Sequence, residues 1–184
     1  MDPARLLPIV SFGEGAMLVV AVMWARWADM PLPPGPWLTG VAAGLGSALG
    51  LGAVNLALLR WRSNSWPGGA LRYVCRIVVR PLFEHVNVFQ ILVVSALAGL
   101  AEELLFRGVL QPLIGLSAAS ILFGMVHVGG RGFLGYGIWA ACIGAFFGWL
   151  VDITGGLTAP VVAHAVYDAL ALAYVRYGLT DICD

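Results

Sequence analysis

A chain of 184 residues that is 60% hydrophobic and 11% charged, with mean hydropathy +0.90, falls outside the range of soluble domains, which are about 45–50% apolar and about 25% charged. A soluble fold of this length has too little interior to hide so much apolar surface, and a formal net charge of zero offers no basic face for nucleic acid. The composition predicts an all-α, polytopic membrane helix bundle, one integral-membrane domain over residues 1–184. All ten basic residues are Arg. With the abundant Gly and Ala, this points to a GC-rich bacterial coding sequence and hence to the inner (plasma) membrane.

A crossing needs about 20 predominantly apolar residues, and six stretches qualify: 6–24, 37–59, 85–110, 115–131, 133–151 and 157–177. The first is expected to be a retained span and not a signal peptide, because Glu14 interrupts its apolar core and no small-residue cleavage site follows. The Pro/Gly-rich "MPLPPGPW" separates it from the second, where "GVAAGLGSALGLG" (40–52) sets small residues four apart. Gly144 and Gly148 repeat that spacing in the fifth, a pattern that lets helices approach closely. The connection from second to third span holds Arg60, Arg62, Arg72, Arg76 and Arg80, and "HVGGRG" and "DITGG" turns separate the last three.

Cytoplasmic loops carry excess Lys and Arg. With the five-Arg connection inside, alternation places Arg5, Arg131 and Arg176 inside as well, and both termini are expected in the cytoplasm. Several of the seven Trp lie near span ends, where they suit interfacial anchoring. Cys75, Cys142 and Cys183 form no CxxC, and their odd number argues against a disulfide framework.

Within the third span, "LAGLAEELLFRGVLQPL" (97–113) places Glu102, Glu103 and Arg107, although a charge at the bilayer centre costs about 2.5–3.5 kcal/mol on insertion scales. Such residues face a bundle interior or a wet cavity, so they mark a functional site. At about 100° per residue, Glu103 and Arg107 lie about 40° apart around the axis and suit an ion pair. Glu102 points about 140° from Arg107 and is left available. His127 ends "FGMVH", and His164 lies four before Asp168 in "HAVYD". At 1.5 Å rise per residue, Glu102, His127 and His164 all fall near the middle of the membrane. Beside His127, Glu102 is a candidate to hold and deprotonate a water. His164 with Asp168 is a candidate to stabilise the oxyanion formed when that water attacks an amide.

At these residues the chain resembles the CPBP family of intramembrane endopeptidases, the CAAX-protease and bacteriocin-processing group also called Abi. The family pattern is EExxxR, FxxxH and HxxxN or HxxxD on three separate membrane helices. It reads here as "EELLFR" (102–107), "FGMVH" (123–127) and "HAVYD" (164–168), within a catalytic core over 85–177. The resemblance implies a glutamate-type protease without a cofactor. Glu102 and His127 would activate water, His164 and Asp168 would form the oxyanion site, and Glu103 with Arg107 would give structural support. An ionised Asp repels an oxyanion, so Asp168 must be protonated or act by orienting His164. The partners implied are the lipid bilayer and a membrane-associated protein or peptide: a C-terminal sorting tail, a bacteriocin-type leader or a lipid-modified C-terminus.

Rival chemistries fit less well. A zinc site-2 protease needs HExxH, which is absent, and "GLSAAS" (115–120) lacks the second Gly of a rhomboid-type turn. No GxGD follows Tyr167–Asp168 to make a presenilin-like pair, and Cys142 has only apolar surroundings. Two alternatives stay open on spacing alone. One is a His₂Glu zinc site from Glu102, His127 and His164. The other is a proton-coupled transporter or binding protein using the same carboxylates, with Glu14 as part of a relay. Neither the oligomeric state nor a purpose for Glu14 follows from the sequence.

Overall fold

The computed structural model describes residues 3–61 and 64–178, with side chains from residue 8 onward. Arg62, Cys183 and the side chain of Arg5 therefore lie outside the described residues. Those described form helices and short connections with no strand: α1 (Pro3–Trp27), α2 (Trp37–Trp61), α3 (Trp66–Val74), α4 (Arg80–Phe83), α5 (Val88–Glu103), α6 (Gln111–Val126), α7 (Leu134–Thr154) and α8 (Thr158–Tyr177). Wider π-helical turns join α3 to α4 (Cys75–Val79) and α5 to α6 (Leu104–Leu110).

Five stretches are long and apolar enough to cross a membrane, where the sequence suggested six. The difference lies in Val88–Val126, 39 residues that are helical almost throughout. Drawn straight they would measure about 58 Å, nearly twice a bilayer core. They are not straight. Gly115 has φ +83° and ψ 161°, well outside helical values, in a region that glycine reaches without the Cβ clash other residues suffer. Phe106 and Phe123 lie on opposite sides of this break with ring centroids 5.0 Å apart, whereas 17 residues of straight helix would separate them by about 25 Å. The stretch is a helical hairpin, and it returns His127 to the depth of Glu102 and Glu103. Its first limb starts at a capping box in which Asn87 Oδ1 accepts from Gln90 N and Gln90 Oε1 accepts from Asn87 N, both at 2.9 Å.

Small residues set the helix spacing. A Cβ on Gly44 of α2 would come within 2.7 Å of both Ala159 O and Val162 Cβ on α8. One on Gly99 of α5 would come within 2.7 Å of Ala165 N, also on α8. The core between α7 and α8 is built from Ile143, Phe147, Leu150, Ala159 and Ala163, and a second cluster joins Phe106, Phe123 and Ala140. Leu157 N and Thr158 N donate to Pro33 O and Pro34 O at 3.0 Å, tying two connections together at one end of the bundle. At the other end Arg60 donates to the Tyr174 hydroxyl at 3.4 Å and Arg176 Nε to Val86 O at 3.1 Å. Tyr73 meets Phe133 there at 5.3 Å, so the α3–α4 segment and the Arg131 turn share that end. Cys75 is disulfide-bonded and Cys142 is free, so an odd cysteine count excludes a full framework but not a single bridge.

Replacing Gly44 by Leu should destabilise the protein by about 1–3 kcal/mol through overpacking. Gly46→Leu, with nothing within 4 Å of its Cβ position, should leave the unfolding midpoint in detergent nearly unchanged. Equal midpoints for the two variants would contradict the close α2–α8 approach.

Candidate active site

The interior of the site is a dry ionic chain. Arg107 Nε lies 3.2 Å from Glu103 Oε2 in an ion pair whose side chains are 1% and 0% exposed. The other oxygen, Glu103 Oε1, accepts from His164 Nδ1 at 2.8 Å. Close α5–α8 packing at Gly99 and Ala165 makes that reach possible. The Arg107 guanidinium carbon sits over three rings, 4.3 Å from Phe123, 5.7 Å from Phe106 and 6.0 Å from Phe147, where ring quadrupoles attract the cation. Gly144 leaves the room it needs, since a Cβ there would lie 2.8 Å from Arg107 Nη2. His164 is clasped between Phe147 at 5.2 Å and Phe123 at 6.1 Å.

A second tier is more accessible. Glu102 Oε2 lies 3.9 Å from His127 Nε2, with side chains 13% and 24% exposed. Asp168 Oδ2, on a side chain 31% exposed, lies 3.5 Å from His164 Nε2. His127 Nδ1 is 2.7 Å from Phe123 O. A carbonyl only accepts, so Nδ1 carries a proton, and neutral His127 then turns the lone pair of Nε2 toward Glu102. Two acceptors 3.9 Å apart cannot bond each other, but a water lying to one side of the pair can donate to both. The structure thus brings Glu102, Glu103, Arg107, His127, His164 and Asp168 from α5, α6, α8 and the π-helical turn into one cluster.

Residues 84–170 match the family described as type II CAAX prenyl endopeptidase Rce1-like, and all three sequence motifs fall inside that segment. The motif-bearing segment is thus similar to the Rce1-like family. The chain is also 29% identical over 124 residues to the uncharacterized protein YpbD of Bacillus subtilis, covering 67% of this chain and 62% of that protein. No solved structure matches.

The Rce1-like segment ends short of α1 and α2, yet both helices help to wall the site. A cavity of about 520 Å³ runs from Glu102 and Asp168 past Val94 and Ser95 to Phe83, within the usual size of ligand sites. Glu14 of α1 and Asn55 of α2 line it together with Tyr136 and Tyr167. The Asn55 side-chain amide donates to the Tyr167 hydroxyl, and Tyr136 meets His127 edge-on at 5.9 Å. Sequence reasoning noted Glu14 without a purpose and missed Asn55, Tyr136 and Tyr167. Each is a polar group in an apolar span, the one signal that marks them.

The donor set fits zinc poorly. His164 has Glu103 against one ring nitrogen and Asp168 against the other. Among the described residues no three His, Cys, Asp or Glu side chains converge as a metal site would require.

Arg107→Leu should leave the Glu103 carboxylate without its cation and destabilise the fold by about 3–5 kcal/mol. The double variant Glu103→Gln, Arg107→Leu should recover much of that loss in a detergent unfolding assay. Wild-type stability in the single variant would show that the pair does not hold the site together.

Proposed function

We propose that this protein is a membrane-embedded CAAX-type endopeptidase that hydrolyses a peptide bond of a membrane-associated protein or peptide, using water activated by Glu102 and His127 and no metal. The observation that carries this reading is the Glu102–His127 gap of 3.9 Å. A water to one side of it can reach both atoms, and it lies in a Rce1-like segment whose second imidazole is oriented from Glu103.

In the proposed reaction the water oxygen attacks the carbonyl carbon while Glu102 takes one of its protons. His127 Nε2 holds the other hydrogen and so aims the oxygen lone pair. The carbonyl oxygen becomes an oxyanion, which His164 meets as a donor through Nε2. With Glu103 fixing Nδ1–H and Asp168 beside Nε2, both ring nitrogens carry protons and the ring is a cation. Glu102 returns its proton to the leaving nitrogen as the C–N bond breaks, so acid and amine are released and the carboxylate is restored. Asp168 keeps the second proton on His164, which answers the objection that a carboxylate repels the oxyanion.

The substrate class that fits is a sorting tail, a maturing peptide or a lipid-modified C-terminus, reached from the bilayer of a bacterial inner membrane. Arg60, Arg131 and Arg176 sit at one end of the bundle, and the positive-inside rule makes that end, with both termini, cytoplasmic.

Glu102→Gln should lower cleavage by about 10²–10⁴-fold, and membrane proteins that accumulate uncut in cells carrying it identify the substrate. Intact cleavage by this variant would end the mechanism. Purified active protein should keep its rate in a strong chelator; loss with chelator and recovery with zinc would replace the water-only scheme by a metal one.

A further inference from the structure

The cavity next to Glu102 contains three buried oxygens for which the described residues supply no hydrogen-bond partner: Glu14 Oε2, Asn55 Oδ1 and Ser95 Oγ. Ser95 is only 2% exposed, and it lies two helical turns before Glu102 on the same helix, about 10 Å along the cavity. The Asn55 amide is bonded to Tyr167 through its nitrogen, which leaves its oxygen without a partner among the described residues. Unsatisfied polar atoms are costly inside a bilayer, and these three come from three different helices that line one cavity. All of them accept hydrogen bonds, and two can do nothing else when Glu14 is ionised.

An apolar cavity with a row of free acceptors suits an apolar ligand that carries donors. An isoprenoid or acyl chain has none. A polypeptide has one backbone N–H per residue, unpaired when the segment is extended, as it must be for its carbonyl to reach Glu102. Access from the lipid is available between α1 and α2, because α1 packs on α5 and α2 on α8 and the two scarcely touch each other.

We propose that this cavity is a backbone-reading subsite, in which Glu14, Asn55 and Ser95 accept N–H groups of an extended substrate polypeptide lying between α1 and α2. It rests on the endopeptidase reading for its occupant, but binding can be measured without turnover. Glu14, Asn55 and Ser95 are positioning residues: they hold the chain whose carbonyl Glu102 and His127 attack. The apolar walls, with Leu49, Leu56 and Val79 among them, receive its side chains.

The test uses the full chain with Glu102→Gln in lipid nanodiscs and a fluorescent, end-blocked Leu/Ala hexapeptide as probe. Unlabelled hexapeptide, its N-methylated analogue and S-farnesyl-cysteine methyl ester compete for the site. N-methylation should weaken competition by about tenfold or more, the loss expected for one or two buried hydrogen bonds. With Glu14→Leu and Asn55→Leu added, the two peptides should compete within about twofold of each other. If that variant does not fold, Glu14→Met and Asn55→Leu made singly should each shrink the difference. Equal competition by methylated and unmethylated peptide, stronger competition by the farnesyl compound, or no peptide binding would each overturn the proposal. Discrimination without cleavage by wild-type protein would sink the hydrolase reading alone, and cleavage without discrimination would sink the subsite alone.

Discussion

A carboxylate with no exposed surface, inside a helix that crosses lipid, is the constraint around which this structure is arranged. Glu103 cannot remain there alone, because burying an unpaired charge costs several kcal/mol. Arg107 and His164 take one oxygen each. That requirement brings α8 against α5, places Arg107 over three Phe rings, and makes side-chain-free positions of Gly99 and Gly144. The least tolerable group in the chain is the one that ties α5 to α8.

A division of labour between neighbouring glutamates follows. Glu103 faces inward between Arg107 and His164, whereas Glu102 lines the cavity beside His127. His164 is oriented from behind by Glu103 and presents its second nitrogen beside Asp168. The sharing of His164 between the tiers links the geometry of the cavity side to the buried pair.

How much of this was legible beforehand depends on the range over which each contact acts. Helical spacing alone paired Glu103 with Arg107, because four residues is a local distance. It also put His164 within reach of Asp168 for the same reason. What it could not supply was the 2.8 Å contact from Glu103 to His164, which spans 61 positions and depends on two helices meeting at Gly99. The sequence already separated this stretch into two spans, 85–110 and 115–131, but did not show the torsion of Gly115 that turns one limb into the next. Glu14 was visible as an oddity, but only the folded chain shows that it shares a wall with Glu102 and Asp168. The disulfide at Cys75 was likewise beyond a count of cysteines.

The reversal at Gly115 also bears on hydrophobic mismatch. Glu102, Glu103 and His127 all belong to one contiguous hairpin, and His164 is hooked to it through Glu103, so their relative heights are set inside the protein. A thicker or thinner membrane is accommodated by tilting of peripheral helices and distortion of the surrounding lipid, neither of which separates these groups. The cluster of Glu102, Glu103, His127 and His164 is in effect insulated from changes in lipid composition that would shear a cluster assembled from independently tilting spans.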